Sequence, residues 1–270
     1  MKRKNYDELV ISDDFMFSKV MRDADLCKKF IETILEIKIR KIEYPEYQKI
    51  IDVAADSKSI RLDIYVEDDM NTVYDMEMQS ISVDNIPKRS RYYQDLMDLD
   101  LLEKGNFYSE LKKSIVIFIC KFDLFEKGRH VYTFTNRCKE DLTVELGDET
   151  TKIFINTKGT MDDISPETKR LLDYIEDNIP TDDFTKALDN AVSSARLNKQ
   201  WRIEYMTVEA KIQESYREGL KEGLEEGFKE ANLQTATSLL KATTLTVEEI
   251  AFNTGLEVEE VESLKHQLEL

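Results

Sequence analysis

The residues best suited to chemistry lie in one stretch. Arg61-Leu62-Asp63-Ile64-Tyr65-Val66 is followed by polar residues 67–72 and then by Val73-Tyr74-Asp75-Met76-Glu77-Met78-Gln79. Both arms alternate. Leu62, Ile64 and Val66 form one apolar set, Tyr74, Met76 and Met78 another, and Arg61, Asp63, Asp75, Glu77 and Gln79 take the opposite sides. A one-residue slip would send a whole strand's side chains to the wrong face, so burying both apolar sets together requires odd-numbered residues to face odd-numbered ones. A hairpin centred on Met70 does this and sets Asp63 opposite Glu77 and Arg61 opposite Gln79. Directly opposed residues hold their Cβ atoms about 4.5–5.5 Å apart, and two carboxylates that close repel unless a cation joins them. Mg²⁺ accepts one or two protein carboxylates and leaves its other positions to water and phosphate. Such an ion polarises a phosphoryl oxygen and generates a hydroxide nucleophile, with Gln79 placed to orient water. The pattern alone leaves two readings open, this metal-binding edge and a solvated sheet face that happens to carry acids.

Composition narrows the chemistry. The 270 residues include 38 Lys and Arg against 55 Asp and Glu, a net charge of −17. Bulk attraction to nucleic acid is thereby excluded, and any polyanion site must be a local basic patch. Cys27, Cys120 and Cys138 are far apart, and there are only two histidines. These numbers exclude a disulfide framework and argue against a Cys/His zinc site, so hydrolysis would rest on carboxylates. No apolar run approaches the roughly 18–20 residues of a membrane span. The expectation is a cytoplasmic protein with no membrane partner.

The elements that must position these residues are legible in outline. Residues 13–37 read as helical, with Asp25 as a cap for a segment in which Leu26, Cys27, Phe30, Ile31, Ile34 and Leu35 recur at helical spacing. Residues 60–79 read as strands and residues 86–104 as a helix stopped by Gly105. The unbroken apolar run Ser114-Ile115-Val116-Ile117-Phe118-Ile119-Cys120 predicts a strand buried on both faces. Shorter strands are expected over 130–136 and 152–156. Beyond Ser165-Pro166-Glu167 the pattern is helical almost to the end. Two domains are expected, 1–200 and an acidic helical tail, 201–270, with 7 Lys and Arg against 15 Asp and Glu. In the tail, Glu218-Gly219, Glu222-Gly223 and Glu226-Gly227 recur every four residues. They fit either a solvated, partly frayed connector or a close helix contact in a homodimer. Residues 245–264 have helix-turn-helix rhythm, but Glu257, Glu259, Glu260 and Glu262 would repel DNA, so a small packing or dimerisation module is the expectation.

An Asp on one strand with Glu-x-Gln on the next resembles the PD-(D/E)XK nuclease superfamily, with Gln79 where lysine is usual. The chain is more specifically similar to the bacterial PD-(D/E)XK nuclease family transposases, also called recombination-promoting nucleases. The features that carry this are Ser12-Asp13-Asp14-Phe15-Met16-Phe17-Ser18-Lys19-Val20-Met21, Arg61–Val66, Tyr74–Ser80, and Arg89-Ser90-Arg91-Tyr92-Tyr93 followed by an apolar helix and Gly105. The Glu-Gly repeats and the Thr-Gly-Leu ending are similar as well. The resemblance implies an α/β (α+β) fold, with a restriction-endonuclease-like mixed β-sheet flanked by helices and a long helical C-terminal extension. It further implies a bacterial, Mg²⁺-dependent DNA endonuclease (Mn²⁺ as substitute) linked to recombination or mobile elements. Asp63, Glu77 and the Met78 backbone carbonyl would hold the metal, and Asp63, Glu77 and Gln79 would be catalytic. Unlike lysine, Gln79 supplies no cation. The alternative is a weak or inactive nuclease-fold protein that serves as an oligomeric interaction module.

Supporting residues carry paired readings. Lys88, Arg89 and Arg91 beside Tyr92 are either DNA contacts or a solvated helix end. Asp14 is either a helix cap or an additional acid near the metal, and Glu32 is a further candidate acid by the resemblance. Asp75 is read as a supporting or surface group, and His130 and His266 as incidental.

Overall fold

The computed structural model describes residues 4–44, 50–51, 60–61, 63–102 and 105–268. Leu62, expected on the apolar face of the first arm, lies outside the described residues. Two compact units emerge, Met1–Arg202 and Ile203–Leu270.

The first unit opens with α1 (Asp14–Val20) and α2 (Ala24–Leu35). These are two helices where one was expected. Asp23, rather than Asp25, takes the cap position of α2, and its carboxylate accepts from the Asp25 and Leu26 amides at 3.0 and 3.1 Å. Its extended backbone, ψ 116°, is what interrupts the helical run. The strands are β1 (Ile42–Glu43), β2 (Ile50–Ile51), β3 (Ile60–Arg61), β4 (Ile64–Asp68), β5 (Val73–Gln79), β6 (Ser114–Cys120), β7 (Val131–Phe134) and β8 (Thr150–Asn156). Between β5 and β6 lies α3 (Ile86–Leu101), and α4 (Pro166–Asp177) and α5 (Asp183–Arg196) close the unit. The first arm of the hairpin is therefore not one strand from Arg61 to Val66, because β3 pairs with β2 in a separate two-stranded sheet.

The main sheet has the order β1-β4-β5-β6-β8-β7. β5, β6 and β8 run parallel, while β4 and β7 are antiparallel to their neighbours. The sheet is thus mixed, as expected. Central β6 is buried at every residue, which explains its unbroken apolar sequence. Side chains alternate across each strand. One face carries Tyr65, Val73, Val116, Phe118, Cys120 and Phe154, which cluster with Ile86, Tyr93, Leu96 and Met97 of α3. The other face carries buried Ile64, Val66, Tyr74, Met76, Met78, Ile115, Ile117 and Ile119, and α1 packs near β5.

The unit is clasped by its ends. Tyr6 Oη donates to the Ala195 carbonyl at 2.7 Å, and Arg196 Nε donates to the Leu9 carbonyl at 2.8 Å. A second internal tie is the buried His130, whose Nδ1 lies 2.7 Å from Asp163 Oδ1.

Continuous helix α6 (Lys199–Ala242) runs into the second unit. It stays helical through Gly219, Gly223 and Gly227, where strong helix formers such as Leu, Glu and Lys surround each glycine. A Cβ at any of the three would meet nothing within 4 Å, so their small size serves no packing among the described residues. The helix pair α7 (Val247–Thr254) and α8 (Val258–Gln267) turns at Gly255, φ +67°. Ile250, Ala251, Leu256 and Val261 bury against Ala236.

Candidate active site

The β4–β5 hairpin sets the site. Asp68 Oδ1 closes its turn by accepting from the Met70 and Thr72 amides at 2.8 and 2.9 Å, and Asn71 takes the positive φ of +58° that the reversal needs. The strands pair Tyr65 with Asp75 and Ile64 with Met76, the register that centres on Met70. Carried one residue further, it brings Asp63 to Glu77. Asp63 N–H donates to Glu77 Oε1 at 3.0 Å, and Met78 N–H donates to Asp63 Oδ2 at 3.3 Å.

The acids are not on a solvated face. Odd-numbered side chains of β5 share the face that α3 covers, and Asp75 and Glu77 are 0% and 5% exposed. Asp75 has no hydrogen-bond partner for either carboxylate oxygen among the described residues. Burial, reinforced by the Asp63 charge and opposed by Arg89, pushes its pKa well above the usual carboxylate range. Glu77 is raised likewise, by burial first and then by Asp63 and Asp75, against the Asp63 amide and Arg89.

Arg89 brings a cation into this acidic cluster. Arg89 lies in the first turns of α3, which starts beside β5 with Asn85 in the cap position at φ +66°. Its side chain shares a helix face with Tyr93, four residues on. Arg89 Nη2 lies 3.6 Å from Glu77 Oε2 and donates to Tyr93 Oη at 2.9 Å. Arg89 Nη1 donates to Gln79 Oε1 at 2.9 Å. The guanidinium stands 5.4 Å from the ring centroids of both Tyr93 and Phe118. Burial of Arg89 works against its charge, but the Tyr93 hydrogen bond and the Glu77 and Asp63 charges outweigh it, and its pKa is raised. Gln79 is held from its other end, with Nε2 donating to the Ile81 carbonyl at 2.8 Å.

Asp63, Glu77 and the Met78 carbonyl are hard oxygen donors. Asp63 and Glu77 bring two carboxylates together, and a divalent cation relieves such repulsion, so the donor set fits Mg²⁺ or Mn²⁺. Among the described residues no group of three or more His, Cys, Asp or Glu side chains is arranged around a common point for a metal. A site with two carboxylates suits an ion that keeps most of its water.

The remaining candidates separate. Lys88 and Arg91 are exposed on α3, whereas Tyr92 is half-buried against the core. Asp14 is exposed in the first turn of α1, with its Oδ1 accepting from the Phe15 amide, and Asp13 holds the cap position. The Ser80 hydroxyl donates to the Ser12 carbonyl and so ties the segment before α1 to the end of β5. Glu32 Oε1 accepts from the Ile39 amide at 2.9 Å. No hydrogen bond among the described residues joins Asp14 or Glu32 to Asp63 or Glu77. Sequence reasoning missed the burial of Asp75 and the Arg89–Gln79 link. The i, i+4 pair Arg89 and Tyr93, directly after an acid-bearing strand, was the available signal.

No curated protein and no solved structure matches the chain. The family model described as PD-(D/E)XK nuclease family transposase matches residues 13–225, a span that includes the β4–β5 hairpin, the start of α3 and most of α6. This chain therefore belongs to the PD-(D/E)XK nuclease family transposases.

Proposed function

We propose that the protein is an Mg²⁺-dependent endonuclease that hydrolyses phosphodiester bonds in DNA, linked to recombination or mobile elements. The observation that carries this reading is the pair of cross-strand bonds, Asp63 N–H to Glu77 Oε1 and Met78 N–H to Asp63 Oδ2, on a covered, acid-crowded sheet face. When bound there, a dication would supply Lewis-acid chemistry to a phosphodiester. Asp63, Glu77 and the Met78 carbonyl would hold it. Exposed Lys88 and Arg91 would take the DNA backbone, the local patch that a chain of net charge −17 requires. Tyr92, being half-buried, would support these cations through the helix. Cleavage of supercoiled plasmid in Mg²⁺, compared with chelator and with Asp63→Ala, tests the reading. Equal nicking by native protein and Asp63→Ala would end it.

A second reading is favoured by one feature of α6. Ile212, Tyr216, Leu220, Leu224 and Phe228 recur every four residues and are all exposed, beside the glycines. They suit a homodimer formed through the C-terminal helices, which would serve either a two-site nuclease or a non-catalytic assembly module. Light scattering of native protein and Leu220→Glu/Leu224→Glu distinguishes dimer from monomer, and plasmid cleavage tells the two roles apart.

A further inference from the structure

We propose that Arg89 is a catalytic residue that supplies the positive charge at the scissile phosphate, and that Gln79 is the residue that positions it. This rests on the nuclease reading above.

The Gln79 position faces the acids and, by resemblance, is where a lysine usually stands. Its amide is committed elsewhere, with its oxygen accepting from Arg89 Nη1 and its nitrogen donating to Ile81. A lysine in its place would put an ammonium against the guanidinium, so a neutral acceptor at position 79 is what admits Arg89. The guanidinium in turn lies 3.6 Å from Glu77, one of the two acids of the site. It cannot swing freely, because Gln79, Tyr93 and the Tyr93 and Phe118 rings fix its plane from separate elements. Its two hydrogen bonds use two of five N–H donors, and the side chain is 35% exposed, so part of the fork stays open to a ligand. A fixed, permanently charged, partly open fork matches the oxygens of a phosphodiester in two-point fashion. Preorganised donors of this kind stabilise charge as it develops in the transition state. Lys88 and Arg91, exposed on the same helix, have no such fixing contacts among the described residues.

The test uses full-length protein and a labelled duplex under single-turnover conditions in Mg²⁺, with DNA affinity measured separately in Ca²⁺ and Mn²⁺ affinity by calorimetry. Arg89→Gln is expected to lower the cleavage rate about 100-fold or more, with DNA and Mn²⁺ affinities within about threefold of native. Adding Gln79→Lys to Arg89→Gln is expected to restore at least about tenfold, because the ammonium then occupies a cleared position. A purely structural role for Arg89 would not be rescued in this way. Arg89→Lys, which keeps a cation over the rings, is expected to retain an intermediate rate and serves if Arg89→Gln fails to fold by thermal melt. Native-like cleavage by Arg89→Gln, a rate loss matched by an equal loss of DNA affinity, or no rescue in a folded double variant overturns the proposal while the nuclease reading stands. Absence of Mg²⁺-dependent cleavage by the native protein removes both.

Discussion

Asp63 donates its amide hydrogen to Glu77 Oε1 at 3.0 Å, so the backbone of one acid orients the side chain of the other. Glu77→Gln keeps this bond, because the amide oxygen still accepts, but removes the charge. Mn²⁺ affinity measured by calorimetry should fall at least about tenfold with the fold intact. Glu77→Ala should lose the bond as well as the affinity.

Asp75 makes stability depend on pH in a defined direction. Its folded pKa is raised by burial and by Asp63, whereas in the unfolded chain it ionises near the ordinary value of about 3.9. As pH rises above about 4, the unfolded chain releases a proton that the folded chain retains, so stability falls until the folded pKa is passed. Glu77 contributes with the same sign. Asp75→Asn should therefore stabilise the protein at pH 7 in chelator by about 1–3 kcal/mol, with the gain disappearing toward pH 4. Urea melts at both pH values measure this.

Exposed Lys88 and Arg91 should act on DNA through charge alone. Removing both should lower the slope of log affinity against log salt by about 2 and change unfolding free energy by no more than about 0.5 kcal/mol. Filter binding across a salt series provides the slope.

Gly159 is required by close approach. A Cβ there would lie 2.4 Å from His130 Cγ and 2.8 Å from its backbone Cα, and the Asp163 bond holds the imidazole in place. Gly159→Ala should cost about 1–3 kcal/mol, read as a lower urea midpoint.

The hairpin register was legible because burying Ile64, Val66, Tyr74 and Met76 together requires odd residues to face odd ones, and the turn residues then centre the pairing on Met70. The interior strand at Ser114–Cys120 was legible for a related reason, since a strand with neighbours on both edges and cover on both faces has no polar position to offer. What alternation does not reveal is whether a polar face meets water. The acids at 75 and 77 look the same in sequence whether exposed or covered, and only the placement of α3 decides it. Arg89 was readable as a cation near a helix start but not as a partner of Gln79, because that contact depends on the path of the chain from Ser80 to Asn85. The break between α1 and α2 was hidden because Asp23 and Asp25 are both competent caps and the flanking residues keep helical spacing.

The clasp between Tyr6 and Ala195 has a consequence during synthesis. A ribosome delivers the chain from its N-terminus, so Tyr6 and Leu9 emerge early and wait for Ala195 and Arg196 to appear. A nascent polypeptide halted short of that point already carries β4, β5 and α3 in full, yet lacks the Ala195 and Arg196 halves of the clasp. Completion of this unit is thus a late step in translation, not one that accumulates gradually as the chain lengthens.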